Sequence, residues 1–328
     1  MPDAVVMRRA GPPEVLVLEQ VELAPLRADE IRIRSVASPI NHSDLKIRAG
    51  TYRIFRADPF PYVPGIEVVG EVVEKGAAVA DFAIGDRAIT MMQGLGGVYA
   101  RRPGGYQELV TVAASAAAPV PGDLDPLDMA ALGLAAVTAL EGLRKLGPLA
   151  GRRVVVTGAS GGVVSAALGL ARVQGAEVIA VVSQAERASY ASECGAHAVM
   201  TAKHVVEGGL GDETIDGVLD NVAGELFRPC VAALRQDAVL SLVGAVAGAG
   251  ALDPYELLRV TLTGYSSETL DGQRLREAIA AIGTWLREGK LKPPKRALLP
   301  LRDAAQAHAL LEKRGVEGRV ILVPSTPV

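Results

Sequence analysis

Val-Val-Val-Thr-Gly-Ala-Ser-Gly-Gly-Val-Val-Ser-Ala-Ala, residues 154–167, is the stretch that decides the fold. Its first part, Val154–Thr157, is a short β-branched run typical of a strand that is buried on both faces. A glycine-rich turn follows, and small apolar residues then continue with helical spacing to Val173, with Gly175 placed to cap the helix. Such a strand, turn and helix open a βαβ unit whose free N–H groups and helix dipole suit a pyrophosphate. The stretch predicts a dinucleotide site.

A glycine-rich turn alone is also compatible with a tight turn in a parallel sheet that binds nothing. The third position of its G-x-x-G-x-x-G spacing is Val164, where a glycine would let helix and strand pack closely. Val164 therefore predicts either a displaced helix or a compensating small neighbour. We expect the phosphate-binding backbone at Gly158, Ala159, Ser160, Gly161, Gly162 and Val163.

The second strand, Glu177–Val182, indicates which coenzyme is bound. NAD sites usually carry an acidic residue at the end of this strand. Here the position is Val182, which is followed by Ser183 and, four positions further on, by Arg187. An acid would repel a 2′-phosphate, but a hydroxyl and a guanidinium bind it through charge-assisted hydrogen bonds. The pattern favours NADP(H), although Arg187 beside Glu186 is also compatible with a solvated helix residue.

Composition and charge exclude several classes of protein. The 328 residues allow two domains with sizeable cores, and the net charge of −3 offers no basic surface for nucleic acid or an anionic membrane. Cys194 and Cys230 form neither a disulfide framework nor a zinc motif. The first residues lack an apolar signal core, and the longest apolar run, Ala238–Leu252, is rich in glycine. We expect a soluble, cytoplasmic protein without nucleic-acid or membrane partners.

The order of elements predicts two domains. Residues 1–124 are rich in turn signals and predict a mostly antiparallel β domain, with strands at Val15–Val21, Glu30–Ala37 and Val68–Glu74. Residues 125–267 alternate between helix and strand, which predicts a doubly wound parallel sheet of the α/β class. In this part a helix is expected at Met129–Leu146, and strands at 153–157, 177–182, 198–200, 216–220, 238–243 and 260–265.

Residues 268–328 return to mixed structure and are assigned to the β domain. Expected here are helices at Arg274–Glu288 and Ala304–Lys313 and strands at Lys295–Leu301 and Gly318–Val323. The nucleotide domain would then be inserted into the other domain. The pocket is expected between the two, at the carboxyl ends of the sheet strands.

Several motifs outside the glycine turn occur in a characteristic order. They are Ile40–Tyr52 (INHSDLKIRAGTY), Pro64–Gly70 (PGIEVVG), Gly85–Arg87, Asp220–Gly224 and Gly318–Val320. With the turn, they resemble the medium-chain dehydrogenase/reductase superfamily, and within it the zinc-free quinone oxidoreductase branch that includes zeta-crystallin. The resemblance covers nearly the whole chain. It implies a Rossmann domain inserted into a GroES-like catalytic domain, and an oxidoreductase.

Residue types address the question of zinc within this resemblance. Zinc-dependent members have a cysteine where this chain has Asn41, and a histidine where it has Ile66. A tetrahedral zinc needs several sulfur or imidazole ligands, and the four histidines and two cysteines here are scattered. We expect a metal-independent enzyme, with His42 a packed or surface residue rather than a ligand.

Without zinc, the charge that hydride transfer places on a substrate oxygen needs hydrogen-bond donors and finally a proton. The resemblance implies that Tyr52 is this catalytic donor; the alternative is a lid tyrosine that packs on substrate. Asn41 would orient the nicotinamide ribose or bind the substrate carbonyl, or would only form a turn before a helix. Further cofactor contacts implied by position are Thr138, Asn221, Val222, Val243, Gly244, Ala245 and Arg319.

The function that follows is NADPH-dependent reduction of a quinone or a conjugated carbonyl compound. Enoyl-thioester reduction is the alternative, because the same tyrosine serves both. Arg101 and Arg102 would then bind a phosphate of a coenzyme A or carrier-protein substrate, unless they are solvated loop residues. An alternative of another class is a non-catalytic NADPH-binding sensor or crystallin-like protein; zinc alcohol dehydrogenase is a third. Val260–Tyr265 predicts an edge strand that pairs with its copy in a homodimer, or else an internal strand.

Overall fold

The computed structural model describes residues 1–52, 60–95, 102–158, 161–211, 214–313 and 316–324. The chain divides into two compact units. Unit 1 comprises Met1–Leu134, Ser267–Arg287 and Lys295–Val328, and unit 2 comprises Ala135–Ser266 and Glu288–Pro294. Unit 2 is therefore inserted into unit 1 in sequence. The boundaries expected after residues 124 and 267 stay a prediction.

The strands are β1 Asp3–Val6, β2 Val17–Gln20, β3 Glu30–Pro39, β4 Glu67–Lys75, β5 Arg87–Met91, β6 Leu109–Ala113, β7 Ala117–Val120, β8 Arg153–Thr157, β9 Glu177–Val182, β10 Ala198–Thr201, β11 Ile215–Asp220, β12 Leu234–Leu242, β13 Thr261–Gly264, β14 Arg296–Pro300 and β15 Arg319–Val323. The helices are α1 His42–Ala49, α2 Pro126–Arg144, α3 Gly162–Val173, α4 Ala188–Glu193, α5 Ala202–Gly208, α6 Phe227–Ala233, α7 Gly272–Arg287 and α8 Ala304–Glu312. Short 3-10 helices occur between several of them.

Unit 1 is built on a seven-stranded sheet in the order β14-β15-β3-β4-β5-β7, with β6 paired to β3. All its pairs are antiparallel except β14 with β15, as expected for a GroES-like domain. The inward residues of β3 and β4, such as Ile31, Ile33 and Val68, are fully buried. The strand predicted at Val15–Val21 is shorter, because Pro13–Val15 forms a 3-10 turn in which proline fixes the backbone.

Unit 2 contains a six-stranded parallel sheet in the order β10-β9-β8-β11-β12-β13, which confirms the doubly wound class. The apolar run at β8 lies in the middle of this sheet and is buried, as its composition predicts. Strand β12 begins at Leu234 rather than at residue 238, because it continues past Asp237, whose φ is 62°. Strand β13 lies at an edge of the sheet among the described strands, which confirms the edge position predicted for it.

Helix α2 is long and apolar enough to cross a membrane by length and composition, the only described helix that is. Most of its residues are buried inside the protein, as in a core helix. The helix is interrupted at Gly133, where φ is 32° and ψ is −133°. This interruption turns the backbone N–H of Leu134 out of the helical direction, so that it can bond to the side chain of Glu67 in unit 1.

Candidate functional site

The glycine that follows β8 lets helix α3 approach the sheet. Gly158 has a φ of 107°, which favours glycine, and a Cβ placed on it would lie 2.9 Å from Cγ2 of Val164. Val164 therefore packs against the bare face of Gly158. The compensating small neighbour predicted for Val164 is this glycine.

Helix α3 begins without a side-chain cap from its own N-cap residue. The helix begins at Gly162, and its N-cap, Gly161, supplies no side-chain hydrogen bond to the first turn. A Cβ on Gly161 would meet nothing within 4 Å among the described atoms. Gly162 and Val163 thus begin a helix whose first N–H groups lack a side-chain cap, which fits a pyrophosphate. Ala159 and Ser160 lie outside the described residues.

Thr157 and Asp220, which were not among the predicted site residues, hold together the loops at the carboxyl edge of the sheet. The Thr157 hydroxyl donates to Oδ1 of Asp220, and the same oxygen accepts the N–H groups of Val222 at 2.9 Å and Ala223 at 3.1 Å. Thr157 Oγ1 in turn accepts the N–H of Asn221 at 3.0 Å. An aspartate before Asn-Val-Ala-Gly is a signal for such a turn, since its carboxylate bonds backbone N–H groups two and three residues on.

These bonds bring the predicted nicotinamide-lining residues of unit 2 together. A Cβ on Gly244 would lie 2.4 Å from Oδ1 of Asn221, so only glycine fits there. A Cβ on Gly158 would lie 3.5 Å from the side chains of both Asn221 and Val222. Val243 donates its N–H to the carbonyl of Asp220 at 2.8 Å, and Ala245 follows soon after in the chain. Thr138 lies buried in the part of α2 that belongs to the same unit.

The end of β9 presents a hydroxyl and a guanidinium. Val182 is buried, whereas Ser183 is exposed and Arg187 is partly buried at the end of a 3-10 turn, Ala185–Arg187. The strand end itself carries valine and serine rather than a carboxylate. A hydroxyl and a guanidinium are groups that could hold a 2′-phosphate.

Unit 1 holds a buried ion pair around Asn41. Arg319 donates through Nη2 to Oε2 of Glu67 at 2.8 Å and through Nη1 to Oδ1 of Asn41 at 3.0 Å. The Asn41 amide nitrogen donates to Oε2 of Glu67 at 3.0 Å. The Arg319 and Glu67 side chains are 5% and 0% exposed. Asn41, Glu67 and Arg319, which are far apart in sequence, are thus each hydrogen-bonded to the other two.

The interruption of α2 completes this cluster. The N–H of Leu134 donates to Oε1 of Glu67 at 2.7 Å. A Cβ on the preceding Gly133 would lie only 1.6 Å from that oxygen. Glycine at this position therefore serves both the left-handed backbone and the close approach of the carboxylate.

The hydrogen-bond partners of Glu67 oppose the effect that burial has on its pKa. Burial raises the pKa of Glu67, and the charge of Arg319, the Asn41 amide and the Leu134 N–H oppose that rise. Because both ends of the Asn41 amide are engaged, the side chain is held in one orientation. The catalytic role predicted for Asn41 and the cofactor role predicted for Arg319 stay predictions.

Asp44, in the first turn of α1, is a second buried carboxyl. Its Oδ2 accepts the N–H of Asn41 at 2.8 Å and its Oδ1 accepts the N–H of Ile66 at 3.1 Å. Burial raises the pKa of Asp44 to about 7, against the lowering effect of these two backbone bonds. Asp44 thus joins the start of α1 to the segment before β4.

Tyr52, the predicted proton donor, is half-buried just after α1. Its hydroxyl donates to Oε1 of Glu268 at 2.5 Å, and it also hydrogen-bonds to the Ser43 side chain. Burial, followed by the hydrogen bond and charge of Glu268, raises the pKa of the phenol above its usual value. Tyr52 is therefore neutral at physiological pH and keeps a proton to donate.

The donor set in this region does not fit a catalytic zinc ion. The Asn41 amide is already bonded to Glu67 and Arg319, and Ile66 carries no donor atom. Within the described ranges, no group of three or more His, Cys, Asp or Glu side chains is arranged to hold a metal ion. His42 is exposed at the start of α1.

Arg101 and Arg102 were the residues expected to bind a phosphate of a thioester substrate, and the structure describes only Arg102. Arg102 lies with Nη1 3.6 Å from Oε1 of Glu30, a partly buried contact. Arg101 lies outside the described residues. The ion pair with Glu30 gives Arg102 a structural partner and does not favour a role in phosphate binding.

The chain matches two family models that together span most of its length. Residues 27–122 match the alcohol dehydrogenase GroES-like domain, and residues 194–322 match a zinc-binding dehydrogenase domain. With a GroES-like β domain and a Rossmann sheet, these matches define an oxidoreductase.

Similar proteins narrow the class. Quinone oxidoreductase of Sus scrofa is 30% identical, with 98% of this chain and 97% of that protein aligned. A 2-haloacrylate reductase of Burkholderia is 27% identical over 98% of both chains. The crystal structure of Escherichia coli quinone oxidoreductase with NADPH superposes with a TM-score of 0.83 at 25% identity, covering 98% of this chain and all of the other. The chain belongs to the medium-chain dehydrogenase/reductase superfamily, in its quinone oxidoreductase branch.

Proposed function

We propose that this protein is a soluble, cytoplasmic, zinc-independent reductase that uses NADPH to reduce a quinone or a conjugated carbonyl compound. The observation that carries the proposal is the carboxyl edge of the parallel sheet. There the N-terminus of α3, which its N-cap Gly161 leaves without a side-chain hydrogen bond, lies near Gly158 and the loops of Asn221 and Gly244, an arrangement suited to a dinucleotide. The likeness to an oxidoreductase solved with NADPH supports the same coenzyme.

Each part of the coenzyme has residues suited to it. The backbone at Gly158–Val163 would hold the pyrophosphate, and Ser183 and Arg187 would hold the 2′-phosphate. Thr138, Asn221–Val222 and Val243–Ala245 would line the nicotinamide, and Arg319 would add a cation. When bound, NADPH supplies the hydride.

The protein's own residues handle the charge that results on the substrate. Tyr52 donates a hydrogen bond, and then a proton, to the oxygen on which negative charge develops. Asn41 orients ribose or substrate through an amide that Glu67 and Arg319 fix in place. Burial and the charge of Glu268 raise the pKa of the phenol, so Tyr52 keeps the proton that this step needs at physiological pH.

Turnover with defined acceptors tests the reaction. The purified protein should oxidise NADPH in the presence of 1,4-benzoquinone or 9,10-phenanthrenequinone, and should oxidise NADH more slowly. NADPH loss with crotonyl-coenzyme A alone would show an enoyl-thioester reductase instead. Calorimetric binding of NADPH without turnover of any acceptor would show a non-catalytic sensor or crystallin-like protein.

The coenzyme preference is expected to depend on Arg187. Replacing Arg187 with alanine removes a charge-assisted hydrogen bond to the 2′-phosphate, so KM for NADPH should rise about tenfold or more while KM for NADH stays the same. Arg172→Ala, an exposed arginine in the last turn of α3, is the matched control and should change neither constant. Equal effects of Arg187→Ala on both coenzymes would contradict the assignment.

Reduction of an activated alkene is the second candidate function. The 2-haloacrylate reductase similar to this chain is named for a substrate with a C=C bond beside a carboxylate. Tyr52 would serve the enolate of such a substrate as it serves the phenolate of a quinone. Including 2-chloroacrylate among the acceptors separates the two, since kcat/KM identifies the preferred class.

We further propose a homodimer formed through the edge strand β13. The segment before it exposes Tyr255 and Leu258, each 79% exposed, and the outer edge of β13 has no described neighbour strand. Leu258→Arg should convert a dimer into a monomer in sedimentation velocity, whereas Ile84→Arg, at an exposed position in unit 1, should not. A monomeric wild-type protein at micromolar concentration would exclude the dimer.

A further inference from the structure

The hydroxyl of Tyr52 is hydrogen-bonded to a carboxylate. Its hydroxyl donates to Oε1 of Glu268 at 2.5 Å, across 216 positions of sequence and within unit 1. Glu268 lies in the one-turn helix Ser267–Thr269, which packs beside the turn at Met92–Leu95. The contact is thus set by the tertiary fold rather than by local sequence.

A phenol has a single proton, so its hydrogen bonds determine what it can give away. In this arrangement the Tyr52 proton points at Glu268, and the Ser43 side chain bonds the phenol from the side of α1. Asp44 is the other acid whose charge acts on the phenol. Tyr52 can therefore donate to a substrate oxygen only if Glu268 carries a proton of its own or releases the hydroxyl.

We propose that Glu268 is a positioning and proton-relay residue that acts through Tyr52. The inference rests on the proposed reductase function. In the competent state the Glu268 carboxyl donates to the Tyr52 oxygen, which turns the Tyr52 proton toward the substrate. As the substrate oxygen gains negative charge, the Tyr52 O–H bond breaks and an O–H bond forms on the substrate. The Glu268 O–H bond then breaks to restore the phenol, and the carboxylate regains its proton from water.

The position of Glu268 suits this role. The side chain of Glu268 is only partly buried, so it can exchange protons with solvent, and the phenol that it contacts is half-buried. The hydrogen bond is short and links an acid to a phenol, which are the groups between which a proton passes readily. A structural anchor would need only an acceptor at this place, which glutamine also provides.

Glu268→Gln tests the relay, because glutamine keeps an acceptor for Tyr52 but carries no exchangeable acid. We expect kcat for quinone reduction to fall at least about tenfold, with KM for NADPH unchanged. Glu277→Gln, at an exposed position on α7, is the matched control and should behave as wild type. A wild-type kcat in Glu268→Gln would overturn the relay.

A readout independent of activity tests the pair itself. In protein labelled with 3-fluorotyrosine, the ¹⁹F resonance of Tyr52 is assigned by its loss in Tyr52→Phe. Loss of the negative charge in Glu268→Gln should move the ionisation of this resonance to lower pH, whereas Glu277→Gln should leave it in place. An unchanged ionisation would overturn the proposal. If no acceptor is turned over at all, the proposed function fails, while a shifted resonance would still establish the contact between Tyr52 and Glu268.

Discussion

Replacing Arg319 with methionine is expected to lower the free energy of unfolding by about 3–5 kcal/mol. The substitution leaves the Glu67 carboxylate buried without its cationic partner and removes a donor from Asn41. Glu67 then has to be protonated in the folded state, so the loss should grow as pH rises. Urea unfolding followed by circular dichroism at pH 6 and pH 8 measures both the loss and its pH dependence.

Two variants decide whether this loss comes from the unpaired charge. Glu67→Gln/Arg319→Met removes both charges and keeps amide partners for Leu134 and Asn41, so it should be more stable than the single Arg319→Met variant. Lys295→Met breaks an exposed pair with Glu317 and should cost less than about 1 kcal/mol. A loss below about 1 kcal/mol in Arg319→Met would mean that the buried pair contributes little.

Much of the fold could be predicted because its signals are local. The β-branched run at Val154–Thr157 and the alternation after it predicted the parallel sheet, since a buried strand and a helix differ in period and length. Two errors have local causes as well. Strand β2 is shorter than predicted because Pro12 and Pro13 begin a 3-10 turn that includes Val15. The first residues of β12 were not predicted as strand because Asp237 has a left-handed backbone conformation. The interruption at Gly133 had no signal, since a single glycine in an apolar helix is usually tolerated.

Some residues of the candidate site belong to a sequence motif and could be predicted, whereas others belong to none and could not. Gly158, Asn41 and Arg319 could be named because their residue types and spacing match a family pattern, although their roles stay predictions. The partners of Asn41 and Arg319 could not be assigned, since Glu67 is 252 positions from Arg319 and only the folded sheet brings them together. Glu268 had no signal at all, because a single glutamate in a polar turn resembles any solvated residue.

His308 is the most completely buried titratable base in the described chain, and it is expected to make stability depend on pH. It lies on α8 with no exposed surface, and its Nε2 is 3.1 Å from the hydroxyl of Tyr106. Burial, assisted by the charge of Arg48, lowers the pKa of His308 to about 3. The unfolded chain binds a proton below its ordinary pKa of about 6.5, whereas the folded protein does not. Stability is therefore lost as pH falls from 6.5 toward 3, by about 1.4 kcal/mol per pH unit.

The wild-type profile alone would conceal this effect, because Asp44 acts in the opposite direction. Burial raises the pKa of Asp44 to about 7, so its folded form holds a proton that the unfolded form loses above about pH 4. Stability from Asp44 therefore falls as pH rises through the same window. The difference between wild type and His308→Gln isolates the histidine, since Asp44 is present in both and the glutamine amide can either accept from or donate to the Tyr106 hydroxyl.

Urea unfolding of the two proteins should show the stability advantage of the wild type shrinking by about 2 kcal/mol between pH 7 and pH 5. His204→Gln, at an exposed position on α5, is the control and should give a profile parallel to that of the wild type. If the His308→Gln profile were also parallel to the wild-type profile, His308 would have to accept its proton in the folded state. The buried contact with Tyr106 would then have to open at low pH, which the accessibility of Tyr106 to iodination would reveal.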